Sequence, residues 1–120
     1  MTHKVLIRDD EEGIRESLKL ILSDHYTLII AQDGAQCLDC LKNSKDIGLI
    51  LIDIKMPKRN GLDILQEIKA KYPQLKVIVV TGYRSVDTAA EAVRLGACGY
   101  IVKPFKSEEI LATVKSSLEE

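Results

Sequence analysis

The hydrophobic residues of this chain fall into two kinds of segment that alternate along its length. Five short runs are rich in β-branched and aliphatic residues, and several lack polar alternation, as is typical of strands buried on both faces of a parallel sheet. The predicted strands are residues 4–8, 27–31, 49–52, 76–80 and 99–102. Between them, apolar residues recur at helical spacing and predict amphipathic helices. The clearest positions are Ile14, Leu18, Ile21 and Leu22 in the first helix, Ile64, Leu65, Ile68 and Tyr72 in the third, and Ile110, Leu111, Val114 and Leu118 in the fifth.

Residues typical of helix ends stand at the predicted boundaries. Asp33 and Gln36 have the spacing of a capping box at the start of the second helix. Ser85 and Ser107 are predicted N-caps of the fourth and fifth helices, and Gly96 is predicted as the C′ residue of the fourth. The strict alternation of strands and helices predicts a doubly wound α/β sheet with helices on both faces. Without a repeat, linker or low-complexity segment, residues 1–120 are predicted to form one (βα)5 domain.

Composition narrows the functional classes. The chain is 46% hydrophobic and 29% charged, as is typical of a globular protein. Its net charge of −1 gives no general attraction to nucleic acid, so direct DNA binding is not expected. No apolar stretch approaches the roughly 18 residues of a membrane span, and the N-terminus lacks the apolar region of a signal peptide. The expected location is therefore the cytoplasm, without membrane binding.

The cysteines and histidines are not expected to form a site. Cys37 and Cys40 have C-x-x-C spacing, but they lie inside the second predicted helix, whereas a redox pair is expected at a helix start. Only Cys98 follows, and there is no histidine cluster nearby to complete a metal site. We predict three reduced, partly buried thiols. His3 and His25 stand alone and are predicted to lie at the surface.

Polar residues of complementary chemistry follow four of the five predicted strands. Asp9 and Asp10 follow the first, Asp53 the third, Thr81 the fourth and Lys103 the fifth. In an open parallel sheet, ligands bind beyond the carboxyl ends of the strands, so these side chains are expected to meet at one edge. Carboxylates, a hydroxyl and an ammonium together suit a divalent cation and a phosphoryl group.

The expected chemistry at this edge is phosphoryl transfer to a carboxylate. An aspartate attacks phosphorus in the aspartyl-phosphate ATPases, and a magnesium ion offsets the repulsion between the carboxylate and phosphoryl oxygens. Asp53 is the candidate nucleophile, and the turn predicted at Met56-Pro57 follows it closely. Lys103 and Thr81 would hold the phosphoryl oxygens, and the Lys103–Pro104 bond is of the type that adopts the cis form. The alternative for each residue is a purely structural role, in a helix cap, a turn or an exposed loop.

Taken together, these motifs resemble the receiver domains of two-component response regulators over essentially the whole chain. The residues that carry the resemblance are Asp9-Asp10-Glu11, Asp53 with Met56-Pro57 and Gly61, Thr81-Gly82, Gly96-Ala97, and Tyr100 ahead of Lys103-Pro104-Phe105. The resemblance implies a flavodoxin-like strand order of 2-1-3-4-5. It also implies a signalling phosphoacceptor rather than a classical enzyme, with self-phosphorylation and slow autodephosphorylation as its chemistry.

The resemblance assigns a metal site and a phosphoryl donor. Asp53 would accept a phosphoryl group from the phosphohistidine of a sensor histidine kinase or a phosphotransfer protein. Asp10 and Asp53 would hold Mg²⁺ with the backbone carbonyl of Lys55, and Asp9 would assist through water. These roles are implied by the family pattern.

The resemblance also assigns a switch. Thr81 and Lys103 would bind the phosphoryl oxygens, after which Thr81 would move toward the phosphate and Tyr100 would swing inward. This movement would rebuild the surface formed by the fourth helix, fifth strand and fifth helix, where a partner or a second copy would dock. The alternative for Tyr100 is a packed aromatic ring that does not switch.

Residues two positions beyond the acceptor and beyond the threonine flank the path of the hydrolytic water in this family. They are Lys55 and Tyr83 in this sequence, and both are large enough to obstruct the path. Similar residues are found in a sporulation phosphorelay receiver. We therefore expect slow loss of the phosphoryl group.

The fourth helix and its flanks are similar to receivers that head transcriptional activators of the nitrogen-regulation type. The similarity lies in Thr81-Gly82-Tyr83, in Asp87-Thr88-Ala89-Ala90-Glu91-Ala92 and in Leu95-Gly96-Ala97. It implies either a fragment of a longer regulator or a free-standing relative, without an ATPase or DNA-binding part in these residues. The sequence does not name the kinase, the signal or the output partner.

Arg8 departs from the family pattern, which has an apolar residue before the acidic pair. Strand alternation directs Arg8 to the opposite sheet face from Asp9, where an unpaired guanidinium would be costly. Arg8 is expected to extend to the acidic edge of the sheet, neutralise it in part and weaken Mg²⁺ binding. The alternative is that Arg8 pairs on the far face or lies in solvent and leaves the site unaffected.

Two other classes of function compete with the main hypothesis. An interaction module that works without phosphorylation would keep the fold alone, but Asp53, Thr81 and Lys103 are all intact. A flavodoxin-like cofactor binder would need a phosphate-binding loop after the first strand. The acidic run that begins at Asp9 would repel a phosphate there.

Overall fold

The computed structural model describes residues 4–55 and 60–119, and there strands and helices alternate strictly. The strands are β1 (Lys4–Arg8), β2 (Thr27–Ala31), β3 (Ile47–Ile52), β4 (Lys76–Thr81) and β5 (Gly99–Val102). The helices are α1 (Glu12–Leu22), α2 (Gly34–Asn43), α3 (Gly61–Lys71), α4 (Val86–Arg94) and α5 (Ser107–Glu119). All strand pairs are parallel, and the order β2-β1-β3-β4-β5 confirms the predicted fold.

Two strands are longer than the sequence predicted. β3 begins at Ile47 rather than at residue 49, and β4 includes Thr81. The early part of β3 is irregular, because Lys4 pairs with Ile47 while the next residue of β1 pairs with Leu49. Gly48 is therefore an extra residue on β3, and an isolated glycine in a strand commonly marks such a bulge. The continuous apolar run begins only after this bulge, at Leu49. The prediction therefore missed the first two residues of β3.

Alternate residues of the sheet face two separate hydrophobic cores. One face packs against α2, α3 and α4, and the other packs against α1 and α5. On the first face the buried strand residues include Leu6, Ile50, Ile52, Val77 and Val79. On the second face they include Val5, Ile7, Leu49, Leu51, Ile78, Val80 and Ile101. Burial on both faces explains why the strands read as continuous apolar runs.

Two of the predicted N-terminal caps form as hydrogen bonds. Asp33 accepts from the Gln36 amide at 2.9 Å, and Ser85 accepts from the Thr88 amide at 3.4 Å. The second half of the capping box is displaced by one residue, because the Gln36 side chain accepts from the amide of Gln32 at 2.8 Å. Both helix starts are nevertheless where the sequence predicted them.

The predicted cap of α5 is wrong by one residue. Ser107 is already helical, and the carbonyl of Lys106 accepts the first bonds, from the amides of Glu109 and Ile110. Lys106 thus takes the flanking position that was assigned to Ser107. Helix ends commonly vary by one or two residues, so the pattern alone did not fix the boundary.

The end of α4 has the predicted glycine. Gly96 has a φ of 111°, a conformation that other residues rarely adopt. Its amide donates to the carbonyl of Val93, and the amide of Ala97 donates to the carbonyl of Ala92. This pair of bonds is the Schellman motif. It turns the chain directly into β5.

The cysteine prediction holds for two of the three thiols. Cys37 is buried and Cys40 is half-buried, but Cys98 is exposed, which corrects the expectation of partial burial for all three. All three are free thiols, and burial raises the pKa of Cys37 to about 12. His25 is exposed as predicted, whereas His3 lies outside the described residues. In the described part of the chain, no helix is long and apolar enough to cross a membrane.

Candidate functional site

The carboxyl ends of β1, β3, β4 and β5 bring the predicted polar residues to one edge of the sheet. Asp9 and Asp53 are each 2% exposed and Thr81 is fully buried, so these polar groups belong to the interior. The Lys103 side chain is 11% exposed, and that of Asp10 is 45% exposed. The buried polar residues are adjacent because the strands that carry them are neighbours in the sheet.

The ammonium of Lys103 lies between the two buried carboxylates. Its Nζ atom is 2.8 Å from Asp9 Oδ2 and 2.8 Å from Asp53 Oδ2, distances typical of charge-assisted hydrogen bonds. Glu11 Oε1 lies 3.2 Å from the same nitrogen. The Lys103–Pro104 peptide bond is cis, as its sequence allowed. Lys103 is therefore a cationic bridge between β1 and β3.

Burial and pairing act in opposite directions on the charges of this bridge. Burial by itself lowers the pKa of Lys103, but its hydrogen bonds to Asp53 and Asp9 outweigh burial and raise that pKa. Burial raises the pKa of Asp9, and the hydrogen bond from Lys103 only partly opposes it. The ammonium of Lys103 is thus firmly charged. For Asp9, burial disfavours the charged form more than the hydrogen bond from Lys103 favours it. A further cation near Asp9 would favour its charged form.

Asp53 is held at both its backbone and its side chain. Its amide donates to the carbonyl of Arg8 at 3.0 Å, which extends the pairing of β1 and β3 beyond the strand end. Its Oδ1 accepts from the amide of Lys55 at 2.9 Å, and its Oδ2 accepts from Lys103. Each carboxylate oxygen therefore has a fixed donor, and the group is oriented before any ligand binds.

Asp9, Asp10 and Asp53 form an acidic cluster that fits a hard cation. Each offers a carboxylate oxygen, and the three oxygens lie within 4.8 Å of one another. Magnesium prefers one or two carboxylates, with water and phosphate oxygens as its other ligands. Asp9 also accepts from the amide of Glu11 at 2.9 Å, and the N-cap residue of α1 is Glu11, not Asp9 or Asp10. The three carboxylates are thus a donor set that suits a hard divalent cation.

A hydrogen-bonded connection joins the buried threonine to β5. Thr81 Oγ1 accepts from the amide of Tyr83 at 3.4 Å, and the Tyr100 hydroxyl donates to the carbonyl of Tyr83 at 2.9 Å. The Tyr100 ring is half-buried, and this burial raises its pKa. The loop after β4 is thus tied to the site on one side and to β5 on the other.

Arg8 is the most unusual residue of this edge. It is 1% exposed, its Nη1 donates to the backbone carbonyl of Asp53 at 3.1 Å, and the same atom lies 4.0 Å from Asp10 Oδ1. The alternative expectation, that Arg8 pairs on the far face or lies in solvent, is wrong. The acidic edge holds the carbonyl and carboxylate that a buried guanidinium needs.

Three contacts at the site were not predicted from the sequence. Arg15 donates to the carbonyl of Asp9 at 2.9 Å, Arg84 donates to the carbonyl of Lys103 at 3.4 Å, and Glu11 pairs with Lys103. Arg15 gave a faint signal, because a basic residue in the first turn of a helix opposes the helix dipole. The other two contacts join loops from different strands, which sequence spacing does not reveal.

The two residues predicted to slow dephosphorylation, Lys55 and Tyr83, have their backbone amides at the site. Lys55 donates its amide to Asp53, and Tyr83 donates its amide to Thr81, so each adjoins one functional side chain. Lys55 is exposed, and Tyr83 is 43% exposed. The predicted turn at Met56-Pro57 lies outside the described residues.

Comparisons with known proteins agree with this geometry. The family model described as the response regulator receiver domain matches residues 5–115. The response regulator MprA of Mycobacterium sp. (strain KMS) is 34% identical over 119 residues, which are 98% of this chain and 51% of that protein. A putative NtrX-like response regulator of Rickettsia bellii is 36% identical over 118 residues, which are 96% of this chain and 24% of that protein. The chain thus spans about half or a quarter of these curated relatives.

Solved structures match the whole fold. A CheY-like response regulator receiver domain protein from Methanospirillum hungatei JF-1 superposes with a TM-score of 0.93 at 32% identity, covering 99% of this chain and 95% of that one. NtrX from Brucella abortus gives a TM-score of 0.91 at 33% identity, covering 99% of this chain and 27% of that one. With the family match over residues 5–115, these similarities show that the chain belongs to the receiver domains of two-component response regulators.

Proposed function

We propose that this domain accepts a phosphoryl group on Asp53 from the phosphohistidine of a sensor histidine kinase or a phosphotransfer protein. The observation that carries the proposal is the Asp53 carboxylate, which is buried, oriented by two donors and flanked by the acidic cluster and Lys103. Such a site works as a cytoplasmic switch. It is not built as a classical enzyme, because the group that reacts is the domain's own side chain.

The chemistry follows from the positions of the charges. A carboxylate oxygen of Asp53 attacks phosphorus, the phosphorus–nitrogen bond of the donor histidine breaks, and the imidazole nitrogen leaves with the bonding electron pair. Lys103, which now bridges Asp9 and Asp53, turns its ammonium to the transferred phosphoryl oxygens. Mg²⁺, held by Asp10, Asp53 and the backbone carbonyl of Lys55 with Asp9 assisting through water, would offset the negative charge of the transferred group.

The switch depends on the connection between Thr81 and Tyr100. A phosphoryl oxygen would accept a hydrogen bond from Thr81, whose hydroxyl now accepts from the Tyr83 amide. A shift of Thr81 would therefore move the loop that holds the Tyr100 hydroxyl through the Tyr83 carbonyl. This is a local change of charge that biases a bistable element.

Phosphorylation by a small donor tests the proposal. We expect acetyl phosphate with Mg²⁺ to add one phosphoryl group to the wild-type domain, measured by intact mass. Addition of EDTA should prevent the reaction. A domain that keeps its folded circular dichroism spectrum but gains no phosphoryl group with Mg²⁺ would refute the proposed function. It would favour the module that works without phosphorylation.

We expect slow hydrolysis of the phosphorylated form, because the side chains of Lys55 and Tyr83 would obstruct the attacking water. The variants Tyr83→Ala and Lys55→Ala should lose the phosphoryl group faster than wild type, by about tenfold for an obstruction worth 1.4 kcal/mol. The decay of the added mass after removal of the donor measures this rate. Unchanged rates in both variants would contradict steric shielding.

The surface of α4 is the proposed docking face. Tyr83, Val86, Ala90 and Val93 form an exposed apolar strip, which we call the α4 strip; Val86 is 81% exposed and Val93 is 59% exposed. The only residue that α4 buries is Ala92. Because α4 is held by so little buried surface, it is the helix that a moving loop shifts most easily. A second copy or another partner would cover the strip together with β5 and α5.

Self-association of the activated domain tests this docking face. A beryllofluoride mimic of the phosphoryl group should raise the sedimentation-average mass of the wild type toward that of a dimer, whereas Val93→Glu should remain monomeric. The matched control is Leu20→Glu, since Leu20 is 82% exposed on α1 and lies outside the strip. Equal loss of association in both variants, or a monomeric wild type with the mimic, would refute a homodimer through α4.

A further inference from the structure

Arg8 is a second cation of the acidic site, and it is built into the core. Its side chain follows Leu6 on the sheet face that packs against α2, α3 and α4, and it is 1% exposed. The buried hydrophobic cluster to which Leu6 belongs is aliphatic apart from Cys37. The polar partners of the guanidinium therefore lie at the carboxyl edge of the sheet, next to the acidic cluster.

Arg8 holds the backbone of Asp53 at two points. The Arg8 carbonyl accepts from the Asp53 amide at 3.0 Å, and the Arg8 guanidinium donates to the Asp53 carbonyl at 3.1 Å. One residue thus fixes both polar backbone groups of the aspartate whose carboxylate reacts. The second bond would be absent with any aliphatic residue at position 8. It restrains the peptide that leads from Asp53 toward Lys55.

The positive charge of Arg8 faces Asp10. The Nη1 atom lies 4.0 Å from Asp10 Oδ1, beyond the length of a direct hydrogen bond but within the range of an ion pair. The buried Arg8 Nε has no hydrogen-bond partner within residues 4–55 and 60–119. The guanidinium therefore has an unused buried donor, and the carboxylate of Asp10 supplies a negative charge beside it.

We propose that Arg8 is a positioning residue for Asp53 and an internal counter-ion that competes with Mg²⁺ for Asp10. The inference rests on the proposed function and extends it to the control of metal occupancy. A divalent ion that binds Asp10 must approach a fixed positive charge that cannot move into solvent. The site is therefore occupied by Mg²⁺ only at higher concentrations than the carboxylates alone would require.

Calorimetric titration of the unphosphorylated protein with Mg²⁺ tests the competition. Arg8→Met keeps the approximate length of the side chain but removes its charge, and we expect it to bind Mg²⁺ about tenfold more tightly than wild type. Arg8→Gln also removes the charge and should show the same direction of change. Arg8→Lys keeps the charge, so its affinity should stay within about threefold of wild type.

Arg15→Met is the matched control for loss of charge. Arg15 also donates to a backbone carbonyl of the site, that of Asp9 at 2.9 Å, but within residues 4–55 and 60–119 no hydrogen bond or ion pair joins it to Asp10. Its Mg²⁺ affinity should change much less than that of Arg8→Met. Equal tightening in the two variants would show a general effect of net charge and would overturn the specific role of Arg8. Unchanged affinity in both Arg8→Met and Arg8→Gln would overturn it as well.

The positioning role has a separate readout. Exchange of the Asp53 amide hydrogen, followed by NMR, should be faster in Arg8→Met than in wild type, because one of the two restraints on that residue is lost. Unchanged exchange would overturn the positioning role. If wild type is phosphorylated on Asp53 while the Arg8 variants titrate as wild type does, the inference fails and the proposed function stands. A wild type that neither binds Mg²⁺ nor accepts phosphate would overturn both.

Discussion

Asp53→Asn is expected to abolish phosphorylation by acetyl phosphate in the presence of Mg²⁺. An amide is not a nucleophile toward phosphorus, and it brings no negative charge to the acidic cluster. The fold should survive, because asparagine keeps an oxygen that accepts from the Lys55 amide, the bond that Asp53 Oδ1 makes. The intact mass of the variant should therefore remain that of the unmodified chain, a change from complete to undetectable labelling.

Asp63→Asn is the matched control for this substitution. Asp63 is an exposed carboxylate in the first turn of α3, outside the acidic cluster. It should be labelled as fully as wild type. Persistent labelling of Asp53→Asn at the wild-type level would show that another residue accepts the phosphoryl group. Loss of labelling in Asp63→Asn would show that the reaction is sensitive to any nearby charge.

Gly61→Ala is expected to destabilise the fold by about 3 kcal/mol, at the upper end of the usual cost of overpacking. A Cβ atom at Gly61 would lie 2.2 Å from the Cα atom of Ile54 and 2.3 Å from its carbonyl oxygen. Both are backbone atoms, so no side-chain rotation relieves the clash. The Gly61 amide also donates to the Ile54 carbonyl at 3.2 Å, and separating the two segments would break this bond.

Urea denaturation measures this loss of stability, and Gly13→Ala is its matched control. No atom lies within 4 Å of a Cβ built at Gly13, which is exposed within α1. Alanine there should stabilise the protein by about 0.5–1 kcal/mol, because it restricts the unfolded chain and favours the helix. A midpoint for Gly61→Ala equal to that of wild type would show that Ile54 and α3 separate without cost.

Phosphorylation of Gly61→Ala should also be slower than that of wild type, even where the variant remains folded. Ile54 follows Asp53 directly, so a displaced Ile54 backbone changes the orientation of the reactive carboxylate. Small displacements of a reacting group have large effects on rate. The rate of mass gain is measured without urea, at a temperature low enough to keep both variants folded. Comparison with Gly13→Ala then separates this effect from loss of the folded state.

The alternation of apolar runs with helical patterns determined the fold class. The inner strands β1, β3 and β4 are buried on both faces over most of their length, so their residues are apolar on either face and the runs are easy to locate. The polar residues of the site could also be predicted, because residues that follow different parallel strands lie at the same carboxyl edge of the sheet. Asp9, Asp53, Thr81 and Lys103 were identified in this way before their distances were known.

The tertiary structure alone decided how the charges of the site are shared. Lys103 bridges Asp9 and Asp53, which lie 94 and 50 residues away in the chain, and only the packing of β1, β3 and β5 sets these 2.8 Å contacts. Strand alternation predicted that Arg8 lies on the opposite sheet face from Asp9, but it did not identify the partners of the Arg8 guanidinium. A long flexible side chain reaches in several directions, and only the packed core around Arg8 leaves it the path to Asp53 and Asp10.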